Sequence, residues 1–321
     1  MTIGLGACGS QTSESGAAGG RLQIATTVAP ITSIVANVVG DLADVKGVVP
    51  EGTNSHTFEP TPEVARTLAN ADVVFVNGLK LEDPTKQLAA ENLNDGSEIV
   101  ELGNLTIAPS EYIYDFSFPK DGGKPNPHLW TNPPMVKQYA RVVAEVVKRR
   151  DPRNADAYQI NLVRFMNKVD ELDAAMKTAS ATMTESQRQL LTYHDAYAYF
   201  AQHFGWTILG AIQVSNFEDP TPQEVAGLID QVRVAKVAAI FGSEVFPSPV
   251  LQQIGKESGV EYVDVLRDDD LPGAVGEPEH SWLGLMRFNY ITMVESLGGN
   301  ASALKAVVVE NTAPDTAKYS Q

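Results

Sequence analysis

Five histidines are spread along the 321 residues: His56, His128, His194, His203 and His280. A neutral imidazole offers a lone pair that suits zinc and other late first-row metals. Three imidazoles with one carboxylate make a common tetrahedral set. His56 lies in Asn-Ser-His-Thr-Phe-Glu-Pro-Thr-Pro, residues 54–62, after an apolar run at 45–49. Thr61 can cap the helix that follows, Pro62 fits its first turn and Glu63 suits its positive end. His56 is therefore expected beyond the carboxyl end of a strand, on the edge where open α/β sheets bind ligands. His128 stands in Asn-Pro-His-Leu-Trp-Thr-Asn-Pro, just ahead of a helix starting at Pro133. His194 ends an apolar strand at 189–193, ahead of a helix from Ala196. All three are expected on carboxyl edges and could converge in one cleft. His203 lies nine residues beyond His194 on that helix and cannot share its position; it reads as a cation at a helix C-terminus. His280 opens the last helix beside Trp282 and reads as structural.

A fourth donor should be an acid near the end of the last strand. Residues 263–271, Val-Asp-Val-Leu-Arg-Asp-Asp-Asp-Leu, offer several. Asp269 is the choice and Asp268 the reserve, although a run of three aspartates through Asp270 ordinarily lies in a solvated loop. Glu244, after an apolar strand at 237–242, is placed to orient a histidine through its other ring N–H.

The elements that must position these groups alternate between strand and helix. Strands are expected at 22–28, 45–49, 72–77, 99–102, 189–193, 206–214, 237–242 and 260–265, with helices between them. Such alternation predicts an α/β fold of mainly parallel sheets covered by helices. Near the middle, Tyr158, Leu162, Phe165, Met166, Val169, Leu172 and Met176 recur at three and four. That spacing predicts one helix from Asn154 to about residue 179, a rod of roughly 38 Å. A rod of that length inside an α/β chain reads as the spine between two lobes, with the ligand in the cleft between them. The expected organisation is a polar tether at 1–21, a first lobe at 22–150, a linking helix at 151–183 and a second lobe at 184–321. The stretch Phe-Glu-Pro-Thr-Pro-Glu-Val-Ala at 58–65 is echoed as Phe-Glu-Asp-Pro-Thr-Pro-Gln-Glu-Val-Ala at 217–226, which supports two related halves. Residues 108–127 form a long loop rich in aromatic, Gly and Pro residues that runs into His128, and loops of that length are often functional.

The formal net charge of -16 argues against nucleic acid or an anionic membrane as partner. The single cysteine, Cys8, excludes an intrachain disulfide. It ends Leu-Gly-Ala-Cys and is followed by a Ser/Gly/Ala/Thr tract, which resembles a bacterial lipobox with a flexible tether, though without a basic region before it. A lipid on Cys8 would be the membrane contact, since no run of 18 apolar residues occurs elsewhere.

Taken together, the ordered motifs resemble the metal-binding lipoproteins of bacterial ABC importers for zinc and manganese, the cluster A-I substrate-binding proteins. The residues that carry the resemblance are the stretches around His56 and His128 quoted above and Tyr-His-Asp-Ala-Tyr-Ala-Tyr-Phe-Ala-Gln-His-Phe-Gly at 193–205. Val-Ala-Ala-Ile-Phe-Gly-Ser-Glu at 237–244 and Leu-Gly-Leu-Met-Arg-Phe-Asn at 283–289 complete the series. The resemblance covers residues 22–299 and implies a metal site of His56, His128, His194 and an aspartate within 268–270, with the long helix as a rigid link. Family members often carry Asp where Asn54 and Asn126 stand, so two charges near the site are missing here.

The implied function is capture of one divalent ion and its delivery to a membrane permease, without chemistry, by a monomer anchored outside the cytoplasmic membrane. A third histidine rather than a glutamate tilts the site towards zinc. Manganese is the alternative, because the 108–127 loop lacks the histidines often found there in zinc members; that loop is expected to act as an aromatic lid. A zinc hydrolase, the reading from another class, would need an open metal position and a nearby base. The chain contains no His-Glu-x-x-His. Nothing in the sequence argues for a surface adhesin.

Overall fold

The structure, a computed structural model, describes residues 20–213, 221–243 and 249–320. In chain order the first half runs β1 (Leu22–Thr26), α1 (Ala29–Val39), β2 (Ala43–Gly47), α2 (Pro62–Ala69), β3 (Val73–Val76), α3 (Asp83–Asn92), β4 (Glu98–Glu101) and α4 (Leu102–Thr106). Two helices follow without a strand between them, α5 (Pro133–Arg150) and α6 (Ala155–Ser180). The second half runs β5 (Gln189–Thr192), α7 (Ala198–Phe204), β6 (Thr207–Ala211), α8 (Pro222–Ala235), β7 (Ala239–Ser243), α9 (Pro249–Ser258), β8 (Glu261–Leu266), α10 (Trp282–Ser296) and α11 (Ser302–Ala306).

Both sheets are four-stranded and parallel, in the orders β2-β1-β3-β4 and β6-β5-β7-β8. Each half thus places its second strand outside its first and its third on the other side. This shared order gives the 58–65 and 217–226 echo a structural counterpart. The helix starts agree as far as they are described. Thr61 Oγ1 accepts Val64 N–H, and Thr221 Oγ1 accepts Glu224 N–H while Glu224 reaches back to Thr221 N–H, closing a capping box. Residues 217–220 of the echo, and Glu244, lie outside the described residues.

The run Val-Val-Phe-Val of β3 is buried on both faces, as a central parallel strand covered by helices must be. α6 spans 26 residues and buries Tyr158, Leu162, Phe165, Val169, Leu172 and Met176, the three-and-four stripe of the sequence. It packs against α1, α5, α10 and α11, so helices from both halves of the chain share its apolar face. One continuous core therefore runs from the first sheet along α6 to Phe241 and Leu266 of the second, with a smaller cluster around Leu191, Ile240 and Leu251 behind the second sheet.

Two short helices, α4 and α11, lie outside the sequence pattern, each too short to show a helical period. The last residues return to the first sheet. Lys318 pairs in parallel with Lys46, accepting Gly47 N–H at 2.9 Å and donating its own N–H to Val45 O at 2.9 Å. No described helix is long and apolar enough to cross a membrane.

Candidate metal centre

The three expected histidines meet. The chain reaches His56 nine residues past β2, in a short 3-10 turn, Ser55–Thr57, that Asn54 caps by accepting His56 N–H at 2.9 Å. His128 follows the long loop and precedes the turn Leu129–Thr131, which leads into α5. His194 lies two residues past β5. His128 and His194 are buried and His56 is partly buried. Their Nε2 atoms lie 3.2 Å (His56 to His128), 3.2 Å (His56 to His194) and 2.9 Å (His128 to His194) apart. Among the described residues they are the one group of three or more potential ligands whose donor atoms all lie within 4.8 Å of one another.

The protonation of this trio is constrained from outside. Asn126 Oδ1 accepts the backbone N–H of His128 at 3.1 Å, and its Nδ2 donates to Asp195 O at 2.8 Å, so the amide can face only one way. That same Oδ1 lies 2.8 Å from His128 Nδ1. Nδ1 must then carry the proton, and Nε2 turns its lone pair inward. Gln213 Oε1 lies 2.6 Å from His194 Nδ1, and as an acceptor there it favours the same tautomer. Burial holds the His56 and His128 imidazoles well below the usual pKa, with like charge from neighbouring histidines adding to it and, at His56, from Lys124. At neutral pH His56 and His128 are therefore neutral, with their Nε2 atoms in contact with each other and with that of His194. One proton can bridge only one pair of them, whereas a cation accepts all three lone pairs. Nitrogens at these separations lie on a circle of about 1.8 Å radius, so an ion at the usual Zn–N distance of about 2.0–2.1 Å would sit roughly 1 Å out of their plane. Its outer side would be left for a fourth donor.

All three aspartates after β8 are buried, against the expectation of a solvated loop: Asp268 is 2%, Asp269 5% and Asp270 9% exposed. Each faces a different partner. Asp270 accepts Gly52 N–H on both oxygens at 2.8 Å. Asp268 is buried near the Ser243 and Tyr197 hydroxyls, and burial raises its pKa. Asp269 accepts Ser55 N–H through Oδ2 at 3.4 Å, one residue from His56, while its buried Oδ1 has no protein hydrogen-bond partner. Burial pushes the Asp269 carboxyl up to about 6. No carboxylate joins the three nitrogens within the 4.8 Å grouping among the described residues.

The turn after His128 ties the two halves together. Trp130 Nε1 donates to Asp268 O at 3.1 Å, Trp282 Nε1 donates to Trp130 O at 2.9 Å, and Tyr290 donates its hydroxyl to Thr131 O at 3.0 Å. On the first-sheet side, Asn77 Nδ2 donates to Pro127 O at 2.9 Å and Asn77 Oδ1 accepts the Tyr139 hydroxyl at 2.6 Å. Asn77 is held in turn by buried Glu82, which accepts Asn77 N–H, Gly78 N–H and the Thr27 hydroxyl; burial raises the Glu82 pKa to about 7.

The loop at 108–127 folds over the centre. Phe118 is buried with its ring 5.5 Å from His56 and 5.7 Å from His128. The loop is pinned to the second half where Ser117 donates its N–H to Asp195 Oδ2 and its hydroxyl to Gln213 O. A cavity of about 240 Å³ opens beside His56, lined in part by Phe118, Lys80 and Lys124.

The other two histidines stand apart. His203, in the last turn of α7, pairs with Asp173 of α6 at 2.6 Å. His280 is buried just ahead of α10, with its ring 4.7 Å from that of Tyr319 and Nε2 3.7 Å from a Glu51 oxygen. Sequence reasoning missed Gln213 and Lys124. Gln213 meets His194 only because β6 lies beside β5, and no local pattern marks that.

Two sheets of like strand order, a long helix between them and a trio of converging imidazoles define a metal-ion-binding protein of the substrate-binding class. The sequence profile of ZnuA, the periplasmic component A of a zinc-uptake complex, matches residues 24–296, and the chain belongs to that family. The metal ABC transporter substrate-binding lipoprotein FimA of Streptococcus parasanguinis is 26% identical over 297 residues, covering 92% of this chain and 95% of FimA. The manganese-binding lipoprotein MntA of Halalkalibacterium halodurans is 26% identical over 290 residues, 90% and 93% of the two chains. Among solved structures, the periplasmic zinc-binding protein TroA of Treponema pallidum superposes with a TM-score of 0.78 at 22% identity, over 87% of this chain and 99% of TroA, a likeness of fold. A manganese-bound periplasmic metal-binding protein of Candidatus Liberibacter asiaticus gives 0.76 at 25% identity, over 86% and 100%. The chain is thus a metal-binding substrate-binding protein of an ABC import system and not an enzyme.

Proposed function

We propose that the protein captures one zinc ion with His56, His128, His194 and Asp269 and hands it to the permease of its importer. The observation that carries this reading is the meeting of three Nε2 atoms at 2.9–3.2 Å, with the inward lone pair of His128 enforced by Asn126. Asp269 is assigned as fourth ligand because its Oδ1 is buried without a protein partner and its Oδ2 accepts Ser55 N–H, one residue from His56, while Asp270 is engaged by Gly52. Three nitrogens against one carboxylate favour zinc over the harder manganese. Manganese is the second reading, because MntA is named for that ion and the protein of Candidatus Liberibacter asiaticus holds it. We take residues 22–150 and 184–321 as the two lobes and 151–183 as their link, in a monomer. Residues 1–21 would form the tether, anchored by a lipid on Cys8 to the outer face of the cytoplasmic membrane, as the lipoprotein relatives suggest.

Metal analysis of the purified protein, followed by competition between zinc and manganese at equal free concentration, tests the choice of ion. Zinc is expected to win; displacement of bound zinc by manganese would overturn the assignment.

A pH dependence follows from the same groups. The His56 and His128 imidazoles, with pKa values lowered, stay neutral well into mild acid, so they do not limit binding first. Asp269 must be ionised to bind, and its pKa is raised to about 6. Affinity should be nearly flat above pH 7 and fall as pH drops through 6, by about one decade per pH unit for each proton that must be displaced. Isothermal titration between pH 5 and 8 reads this directly, and a constant affinity across that range would contradict the ligand set.

A further inference from the structure

The ring nitrogens that face away from the centre meet carboxamides. Gln213 Oε1 backs His194 Nδ1 at 2.6 Å and Asn126 Oδ1 backs His128 Nδ1 at 2.8 Å, and all four side chains are at most 2% exposed. A carboxylate in either place would orient the ring as well. It would also make the imidazole a stronger donor and add a negative charge beside the ion. An amide orients without adding charge. With three neutral imidazoles and one carboxylate, a divalent ion leaves the site with a net positive charge, and this is felt strongly in a buried, weakly screened environment.

We propose that Gln213 and Asn126 are positioning residues that lock the inward-facing tautomers of His194 and His128 while withholding the charge that would slow the ion's release. This rests on the metal-capture reading above. It sets how tightly and how long the ion is held, not whether it binds. A carrier must give its cargo up, and neutral backing keeps two of its three imidazoles oriented without deepening the well.

Gln213 is the cleaner residue to test. Asn126 Nδ2 donates to both Asp195 O and Asp115 Oδ2, so a new carboxylate there would face an existing one. The full chain and its Gln213→Glu and Gln213→Leu variants would be titrated with zinc chloride against a chromogenic chelator. Release would be followed by stopped-flow transfer to excess chelator, and the urea midpoint of each metal-free protein recorded. Gln213→Glu is expected to bind zinc about tenfold tighter and release it correspondingly more slowly. Gln213→Leu, which leaves Nδ1 without an acceptor, should bind about 10- to 100-fold more weakly, the range typical of lost outer partners. A purely structural role would move the urea midpoints and leave the release rate of Gln213→Glu unchanged. Unchanged affinity and release in Gln213→Glu overturns the proposal whatever Gln213→Leu does. Asn126→Asp, measured in the same way and expected to shift in the same direction, decides the matter if Gln213→Glu does not fold. Failure of the unaltered chain to bind zinc or manganese would instead overturn the metal-capture reading itself.

Discussion

His128→Ala is expected to lose tight metal binding, and His56→Ala likewise, while His203→Ala retains it. Structural zinc sites bind with about 10–16 kcal/mol spread over four ligands, so removing one removes roughly 3 kcal/mol, a loss of a hundredfold or more. At His128 the loss should exceed that share. Its ring touches both other imidazoles, and its removal leaves Asn126 Oδ1 without its ring partner in a buried position. His203 separates ligand loss from a general loss of histidine, because its partner is Asp173 on α6. Chelator competition on all three variants gives the comparison. Tight binding by His128→Ala would exclude the three-imidazole centre, and weakened binding by His203→Ala would show that the effect is not local.

The second large effect is on stability. Trp130 is completely buried, and its indole N–H is bonded to Asp268 O. Trp130→Ala should cost about 3–5 kcal/mol through lost packing and the cavity left behind. Trp130→Phe keeps most of the ring but strands the Asp268 carbonyl, for about 1–3 kcal/mol. Urea unfolding of the metal-free protein measures both. Because the bond joins the His128 turn to the segment carrying Asp269, Trp130→Phe should also hasten metal release. An unchanged release rate in a clearly destabilised Trp130→Phe would show that the turn supports the fold without steadying the site.

Much of this was legible in the chain. Strict βα alternation, the capping at Thr61 and Thr221, and the apolar stripe of α6 are local patterns that follow from the periods of strand and helix, and the structure repeats them within a few residues. The strand ends were less sharp. The expected strand at 22–28 stops at Thr26, and the one at 45–49 begins at Ala43 and ends at Gly47. Pairing partners, absent from local pattern, decide where a ladder stops. His56, His128 and His194 stood out because each follows a strand or precedes a helix, the place where open sheets gather ligands.

What the sequence by itself determined is the set of parts: two α/β halves, a long helix between them, and three imidazoles beside strand or helix ends, together with motifs specific enough to mark the family. Tertiary structure alone decided how those parts engage. The three consecutive aspartates look equivalent in sequence, yet Asp269 and Asp270 meet different partners, because the 51–55 segment from the first half packs against them across more than two hundred residues of chain. The tautomers of His128 and His194 rest on Asn126 and Gln213, and the second of these reaches its histidine only through the pairing of β5 with β6. Period and capping are written locally. The direction of a lone pair depends on which side chain from a distant segment stands behind the ring.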